Sequence, residues 1–252
     1  MENSLEFANK RVWVTGAGQG IGYTTALAFV KAGAEVIGFD RHFGSSHYPF
    51  RTEVLDITDV KAVREVCQRV LAENDRLDVL VNGAGILRMG VTDELSDDDW
   101  NDCLAVNAGG AFNMFRHTLP VFRRQQHGAI VSIASNAAHV PRIGMSAYCA
   151  SKAALRSLCL SVGLEMAPFG VRCNLISPGS TDTPMQRGLW TSPESEQNTI
   201  NGFPAQFKLG IPLGKMGKPQ DVADAVLFMA SDRAGHITMQ DIVIDGGATL
   251  AA

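Results

Sequence analysis

The sequence predicts an α/β fold of the doubly wound, Rossmann type: one parallel sheet of about seven strands, with helices on both faces. Three observations lead to this prediction. Short, nearly continuous apolar runs alternate with helical patterns, which is typical of strands covered on both faces by crossover helices. The alternation continues from end to end without a repeat or a linker. A glycine-rich turn directly follows the first apolar run and precedes a helical pattern.

Seven apolar runs are interpreted as the strands of this sheet. They are Arg11–Thr15, Glu35–Asp40, Thr52–Asp56, Leu77–Asn82, Ala129–Ile133, Val171–Ile176 and Asp241–Asp245. A helical pattern from Gln220 to Ser231 follows Pro219 and precedes the last strand. Only about ten residues separate Asp40 from Thr52, which is too few for a full crossover helix. We therefore expect a short, irregular link between the second and third strands.

One stretch breaks the alternation. Between Thr183 and Gly214, small and turn-forming residues are mixed with large apolar ones such as Leu189, Trp190 and Phe207. A linker would carry fewer large apolar groups. We interpret residues 183–214 as a substrate lid, and we expect residues 1–252 to form a single catalytic domain.

Composition and charge exclude several classes of function. A formal net charge of −4 with scattered basic residues argues against a nucleic-acid partner. No apolar run is long enough for a membrane span, and Met1–Ser4 is too polar to begin a secretory signal, so a cytoplasmic protein with no membrane partner is expected. The five cysteines lack zinc or disulfide spacing, and the six histidines form no recognisable ligand set, so no metal is expected.

The segment from Thr15 to Gly22 has the properties of a nucleotide-binding turn. Its glycines allow the backbone to approach a pyrophosphate, which then lies on the free N–H groups of the following helix. Asp40 ends the second strand, where a carboxylate accepts hydrogen bonds from an adenosine ribose and repels a 2′-phosphate. We therefore expect NAD rather than NADP, although the neighbouring Arg41 could attract that phosphate. A second small-residue turn, Asn82–Gly85, suggests one extended ligand lying across both turns.

Tyr148 and Lys152 are four residues apart, which places both side chains on one face of a helix. An ammonium about 4 Å from the phenol, at an effective dielectric near 20, is worth roughly 4 kcal/mol, or about 3 pKa units. We therefore expect the pKa of the phenol to move towards neutrality. Ser135 lies thirteen residues before Tyr148 and could reach the same oxygen. Taken alone, the pair could lie on a solvated helix, and the serine could be a helix cap.

In their order and spacing, these motifs resemble the short-chain dehydrogenase/reductase family over essentially the whole chain. The matching positions are Thr15, Gly16, Gly20, Gly22, Asn82, Gly85, Asn107, Ser135, Tyr148, Lys152, Pro178 and Gly179. The resemblance implies that Tyr148 transfers the proton and that Lys152 lowers its pKa and holds the nicotinamide ribose. It further implies that Ser135 binds the reacting oxygen, that Asn107 anchors a water linking Lys152 to solvent, and that the protein is a homotetramer.

The turns and the resemblance together predict the residues around the cofactor. These are Gly16, Gln19, Gly20, Ile21, Gly22, Asp40, Asp56, Asn82, Gly85, Tyr148, Lys152, Pro178, Gly179 and Thr183. By resemblance, Asp56 lies at the adenine and the segment from Pro178 to Thr183 lies at the nicotinamide and the base of the lid. The short link after Asp40 departs from most of the family.

Three variable segments resemble family members that oxidise a cyclic dihydroxy acid in catechol siderophore biosynthesis. The segments are Gly85–Gly90, Pro141–Tyr148 and Gln206–Leu213. An apolar pocket does not desolvate a carboxylate without a cation, and arginine is suited to binding one. Each arginine could instead form a surface or inter-subunit ion pair. The predicted substrate site consists of Ser135, Arg142, Arg88, Met89 and Met185.

Two other functions stay open at this point. The chain could be a reductase of another carbonyl substrate, such as a 3-oxoacyl-carrier thioester or a sugar, and a preference for NADPH would indicate this. It could also be a nucleotide-binding scaffold or redox sensor without turnover. The complete set of Asn107, Ser135, Tyr148 and Lys152 argues against the scaffold, because a sensor does not need these residues.

Overall fold

The computed structural model describes residues 6–45 and 47–250, so the N-terminal Met1–Ser4 considered above lies outside the described residues. The elements, in chain order, are β1 (Arg11–Thr15), α1 (Gly20–Lys31), β2 (Glu35–Asp40), β3 (Arg51–Val54), α2 (Val60–Glu73), β4 (Val79–Asn82), α3 (Asp97–Leu104), α4 (Gly110–Gln125), β5 (Gly128–Ile133), α5 (Ser146–Met166), β6 (Val171–Pro178), α6 (Pro184–Arg187), α7 (Ser195–Asn201), β7 (Gly202–Phe203), β8 (Lys208–Leu209), α8 (Pro219–Ala230) and β9 (Asp241–Ile244).

Seven of the strands form one parallel sheet in the order β3-β2-β1-β4-β5-β6-β9, which confirms the predicted fold class. The central strand β1 pairs with β2 on one side and β4 on the other, with Val14 opposite both Gly38 and Val81. The direction of winding reverses between β1 and β4. Ligands of such sheets bind beyond the carboxyl ends of the strands at this reversal.

Alternate strand residues face two separate apolar cores. Trp13 and Leu80 point to the core shared with α2, α4 and α5, whereas Val14 and Val81 point to the core shared with α1 and α8. All four side chains are essentially inaccessible to solvent. Because both faces of the sheet are covered, the strands carry the nearly continuous apolar runs seen in the sequence.

Several helices begin at residues whose side chains satisfy their free N–H groups. Asp59 accepts hydrogen bonds from the backbone of Lys61 and Ala62 at the start of α2. Ser96 caps α3. The first turn of α3 is acidic, and negative charge there stabilises the helix because its N-terminal end carries a partial positive charge. Helix α8 begins with Pro219, one residue before the predicted helical stretch.

The described part of the link between β2 and β3, residues 41–45 and 47–50, contains no helix, as the length of the link predicted. The ring of Phe50 lies against Gly38, where an added Cβ would be 2.6 Å from Cε2 of that ring. The link therefore packs onto the sheet through an aromatic side chain instead of a crossover helix.

Residues 183–214 fold into α6, α7 and a small antiparallel hairpin of β7 and β8. None of the helices within the described ranges is long and apolar enough to cross a bilayer. The same ranges contain no group of three or more His, Cys, Asp or Glu side chains arranged to hold a metal ion.

Candidate active site

A cavity of about 420 Å³ lies at the carboxyl ends of β1, β4, β5 and β6 and extends beneath residues 183–211. It brings together nearly all of the side chains that the sequence singled out. The predicted residues that line it are Gly16, Gln19, Gly20, Ile21, Gly22, Asp40, Asp56, Gly85, Ser135, Arg142, Tyr148, Lys152, Pro178, Gly179, Thr183 and Met185.

The first glycine turn leaves the start of α1 open to a ligand. Gln19, at the N-cap, makes no side-chain hydrogen bond to the helix, and the first turn contains no acidic residue. At Gly18, an added Cβ would lie 2.4 Å from the carbonyl oxygen of His42, so a side chain is excluded there. Free N–H groups at a helix start, approached through a glycine-rich turn, are suited to a pyrophosphate.

Asp40 lies beside this turn. Its Oδ2 accepts a hydrogen bond from the N–H of Gly18 at 2.9 Å, and its Oδ1 accepts one from the N–H of His42 at 3.1 Å. Arg41 instead contacts Asp56, with 3.5 Å between Nη1 and Oδ2. The guanidinium next to Asp40 is therefore directed at a carboxylate, which weakens its attraction for a 2′-phosphate.

Tyr48, which the sequence did not single out, holds the same turn from the other side. Its hydroxyl donates to the carbonyl oxygen of Gly18 at 3.0 Å and accepts from the N–H of Gly44 at 3.1 Å. The aromatic rings of Tyr23 and Phe50 pack against it. The short link thus supports the glycine turn, a role that becomes visible only once the fold brings Tyr48 and Gly18 together.

The second turn is fixed by side chains from two elements. The hydroxyl of Thr15 accepts hydrogen bonds from the N–H groups of Gly83 and Ala84. Asn107, in a π-helical turn between α3 and α4, holds Ile86 by both backbone groups, at 2.8 and 2.9 Å. Its amide also donates to Ser151 at 2.8 Å. Asn107 therefore shapes the wall of the cavity with its side chain, and its implied water link to Lys152 stays a prediction.

Asn82 departs from its implied position along the cofactor. Its amide donates to the hydroxyl of Ser132 on β5 at 3.0 Å, and its side chain is buried between the strands. It does not line the cavity. A residue at the end of a strand can point along the sheet or out of it, and the sequence motif alone does not distinguish these directions.

Ser135 and Tyr148 meet on the floor of the cavity. The hydroxyl of Ser135 accepts a hydrogen bond from the N–H of Ala137, and Tyr148 lies in the first turn of α5. Burial raises the pKa of the Tyr148 phenol to about 12, against the opposing effect of a hydrogen bond with Ser135. The loss of hydration therefore outweighs the hydrogen bond that favours the phenolate.

Lys152 is buried beneath the phenol. Its Nζ donates to the carbonyl oxygen of Ile133 at 2.8 Å and lies 5.8 Å from the centroid of the Tyr148 ring. Burial lowers the pKa of Lys152 to about 8. In this arrangement the ammonium contacts a carbonyl and is itself desolvated, so the pKa of the phenol is raised by burial instead of moving towards neutrality, and the implied role of Lys152 stays a prediction.

Only one of the two predicted arginines is at the site. Arg88 lies on the surface, where it pairs with Asp99 and Asp102 of α3, at 3.0 Å in each case. Met89 is 51% exposed and does not line the cavity. The segment turns outward after Leu87, and the N–H of Gly90 donates to the carbonyl of Gly144. The structure therefore does not bring Arg88 and Met89, both predicted substrate contacts, to the cavity.

Arg142 does line the cavity. Within residues 6–45 and 47–250, no carboxylate lies within 4.0 Å of its guanidinium. Burial lowers its pKa. A half-buried guanidinium without an acidic partner is well placed to receive a carboxylate from a ligand.

The carboxylates that line the cavity lie at one end of it. Among the described lining residues these carboxylates are Asp40 and Asp56, which belong, with Arg41, to the glycine-turn end. Lys152, Arg142 and Lys208 line the cavity as well, and no further carboxylate lies among its lining residues. Lys208 belongs to β8, and it was not among the site residues predicted from the sequence. The only signal for it there was its position in the segment Gln206–Leu213.

The sequence of this chain was compared with known protein families and with individual proteins. A family model described as enoyl-(acyl carrier protein) reductase matches residues 16–249. A 2,3-dihydro-2,3-dihydroxybenzoate dehydrogenase of Escherichia coli (strain K12) is 65% identical over 98% of this chain and 100% of its own length. A vibriobactin-specific enzyme of that name from Vibrio cholerae serotype O1 is 40% identical, with 98% of each chain covered. A 3-oxoacyl-(acyl-carrier-protein) reductase of Thermotoga maritima is 35% identical over 98% of this chain and 100% of its own.

Among solved structures, ElxO with NADP bound superimposes with a TM-score of 0.84 at 28% identity, covering 96% of this chain and 99% of that one. The whole fold is therefore shared with a protein that binds a pyridine nucleotide.

Proposed function

Because this chain belongs to the short-chain dehydrogenase/reductase family, we propose that it oxidises 2,3-dihydro-2,3-dihydroxybenzoate to 2,3-dihydroxybenzoate with NAD, in the biosynthesis of a catechol siderophore. The pyridine nucleotide rests on the family and the fold, and NAD rather than NADP is the finer part of the proposal. The observation that carries the proposed function is that one cavity holds Ser135, Tyr148 and Lys152 together with Arg142. Among the described residues, no carboxylate forms an ion pair with the guanidinium of Arg142.

The substrate combines the two features that this end of the cavity can recognise. Its ring hydroxyl meets Ser135 and Tyr148, and its carboxylate meets Arg142. The hydroxyl of Ser135 steadies the oxygen that becomes a carbonyl, and the phenolate oxygen of Tyr148 removes the hydroxyl proton. When bound, the oxidised nicotinamide supplies the hydride acceptor and a positive charge.

The proton equilibria of the site make this direction of reaction depend on a positive charge next to the phenol. With a pKa of about 12, the phenol of Tyr148 holds its proton at neutral pH until a positive charge favours the phenolate. The pKa of Lys152, about 8, is close to neutral pH, so this side chain can both release and take up a proton. The ketone formed on a dihydrobenzoate ring tautomerises to an aromatic catechol, so the reaction runs towards the oxidised product.

NAD is favoured by the glycine-turn end of the cavity. A 2′-phosphate would lie against the carboxylate of Asp40, which is already held by the N–H groups of Gly18 and His42. Arg41, the cation next to Asp40 in the sequence, contacts Asp56. Gln19, in the turn itself, carries no charge. Measurement of kcat/KM with both nucleotides tests this part, and a preference for NADP would contradict it.

We further propose a cytoplasmic homotetramer, as the family resemblance implies. Phe112 on α4 and Leu164 on α5 are 47% and 67% exposed, which supports contact of these helices with a second copy. Light scattering on the purified protein measures the assembly, and a monomer would contradict the tetramer.

Replacement of Tyr148 by Phe tests the catalytic assignment. The variant keeps the ring but cannot accept the proton, so we expect kcat to fall by roughly 100- to 10,000-fold. Binding of NAD, measured by fluorescence titration, should change by less than about threefold. A variant with near wild-type turnover would remove Tyr148 from the mechanism, and with it the proposed chemistry.

The alternative is a reductase acting on a 3-oxoacyl thioester, which the Thermotoga maritima relative makes reasonable. The higher identity of the Escherichia coli relative and the unpaired Arg142 favour the acid. A comparison of kcat/KM for the dihydroxy acid with NAD and for an acetoacetyl thioester with NADPH distinguishes the two functions.

A further inference from the structure

We propose that Lys208 of β8 binds the substrate carboxylate jointly with Arg142, so that two cations from different elements of the cavity wall select an acidic substrate. This inference rests on the proposed function and adds to it a specificity-determining residue in residues 183–214. Arg142 precedes α5, which carries Tyr148, whereas Lys208 comes from the hairpin formed by β7 and β8. Both side chains line the cavity that contains Ser135 and Tyr148.

The hairpin fixes the position of Lys208. In the antiparallel pair, Lys208 is opposite Phe203, and its ammonium lies 5.4 Å from the centroid of that ring. Gly202 has a φ of +88°, and an added Cβ there would be 2.4 Å from the backbone nitrogen of Gly210. The N–H of Ile211 donates to the carbonyl of Ile200 at 2.7 Å. The lysine is therefore presented by a closed, tightly packed turn.

Two like charges share this end of the cavity without a counter-charge. Burial lowers the pKa of Lys208, and the positive charge of Arg142 lowers it further. Across residues 6–45 and 47–250, no carboxylate lies within 4.0 Å of either cation, and the cavity wall adds none near them. Half-buried cations that repel each other are unfavourable unless an anion lies between them.

A ligand carboxylate between the two cations has a consequence for selectivity. It joins Arg142, next to the catalytic helix, to Lys208, which belongs to the part of the chain that covers the cavity. A neutral ring diol cannot make this connection and leaves the two cations without an anion. Discrimination between acid and neutral diol thus depends on both residues, with the charge of the ligand holding residues 183–211 over Tyr148.

The test compares Lys208→Met with wild type on two substrates: 2,3-dihydro-2,3-dihydroxybenzoate and the same diol with hydrogen in place of the carboxylate. We expect KM for the acid to rise about tenfold or more, as for loss of a charged hydrogen bond. KM for the neutral diol should stay within about twofold of wild type. Lys208→Arg should restore most of the affinity for the acid, because it keeps the charge. Lys215→Met, at an exposed position beyond the hairpin, is the matched control and should behave like wild type.

Equal effects of Lys208→Met on the acid and on the neutral diol would overturn the inference, because they would show that the lysine only supports the fold of the hairpin. An unchanged KM for the acid would overturn it as well. Calorimetric binding of 2,3-dihydroxybenzoate keeps the two proposals apart. If the wild-type protein neither oxidises the acid nor binds this product, the proposed function itself is contradicted. If the wild-type protein oxidises the acid and the Lys208→Met variant binds it with unchanged affinity, only the role of Lys208 is contradicted.

Discussion

Replacement of Arg142 by Met tests carboxylate recognition, with Arg88→Met as a matched control. Both changes remove one guanidinium and leave an unbranched apolar side chain. Arg142 is half-buried at the cavity and has no carboxylate within 4.0 Å in the described part of the chain. Arg88 is outside the cavity and is paired with Asp99 and Asp102. The two variants therefore separate a binding cation from a surface ion pair.

The size of the effect follows from these surroundings. A hydrogen bond to a charged group contributes about 1.5 to 3 kcal/mol, which corresponds to roughly 10- to 150-fold in affinity. Lys208 lines the same cavity and would still attract the carboxylate, so we expect Arg142→Met to raise KM for the dihydroxy acid by roughly 10- to 50-fold. The side chain of Arg88 is 40% exposed, and such surface pairs contribute about 0 to 1 kcal/mol to stability. Arg88→Met should therefore leave KM unchanged.

Initial rates of NADH formation, measured over a range of acid concentrations at saturating NAD, give both constants. Binding of NAD to each variant controls for a general disturbance of the cavity. Equal KM values for Arg142→Met and wild type would refute carboxylate recognition by Arg142. A large rise of KM in Arg88→Met would contradict the surface position of Arg88, because it would show that this side chain contributes to substrate binding.

Three further outcomes are expected. Because burial raises the pKa of Tyr148 to about 12, the rate of alcohol oxidation should rise with pH between about 6 and 9, and a flat pH–rate profile would argue against Tyr148 as the base. Tyr48→Phe removes the hydrogen bond to the Gly18 carbonyl, so the Kd for NAD should rise about fivefold with kcat unchanged, as fluorescence titration and kinetics would show. Asp241→Ala removes a buried carboxylate that contacts His139, Arg156 and Ser177 at 2.9, 3.1 and 2.6 Å, so the free energy of unfolding in urea should fall by about 3 kcal/mol; a loss below about 1 kcal/mol would contradict the structural weight given to this cluster.

The sequence was sufficient for the sheet and for the part of the site that depends on local spacing. The apolar runs of the inner strands correspond to buried strands because both faces of the sheet are covered, whereas the edge strand β3 is largely exposed. The four-residue separation of Tyr148 and Lys152 becomes proximity because a helix repeats every 3.6 residues. Ser135 reaches the same place because it follows β5, whose carboxyl end borders α5.

The sequence was insufficient where the direction of a side chain depends on tertiary packing. Arg88 and Arg142 were both candidates because each is an arginine on a segment leading to the site, with Arg142 favoured because it lies six residues before Tyr148. Only Arg142 lines the cavity. Asn82 lies in a correctly recognised turn, but its amide points to Ser132 instead of the ligand. Lys208 belongs to no sequence motif that would have indicated its role. Its position depends on the hairpin, which is formed by contacts within residues 200–211.

Electrostatics within the site were also beyond the sequence. The spacing of Tyr148 and Lys152 indicated attraction between an ammonium and a phenolate, and this favours a lowered phenol pKa. Burial acts in the opposite sense on both groups, and its magnitude depends on the surrounding protein atoms. The hydrogen bond from Lys152 to the carbonyl of Ile133 also engages the ammonium, whose distance to the centroid of the Tyr148 ring is 5.8 Å.

The most direct test of the proposed function is to incubate the purified protein with 2,3-dihydro-2,3-dihydroxybenzoate and NAD and to measure both products. We expect one NADH for each 2,3-dihydroxybenzoate formed, and a kcat/KM at least about tenfold lower when NADP replaces NAD. Absence of the catechol acid, under conditions in which the protein is folded and binds NAD, would contradict the proposed function.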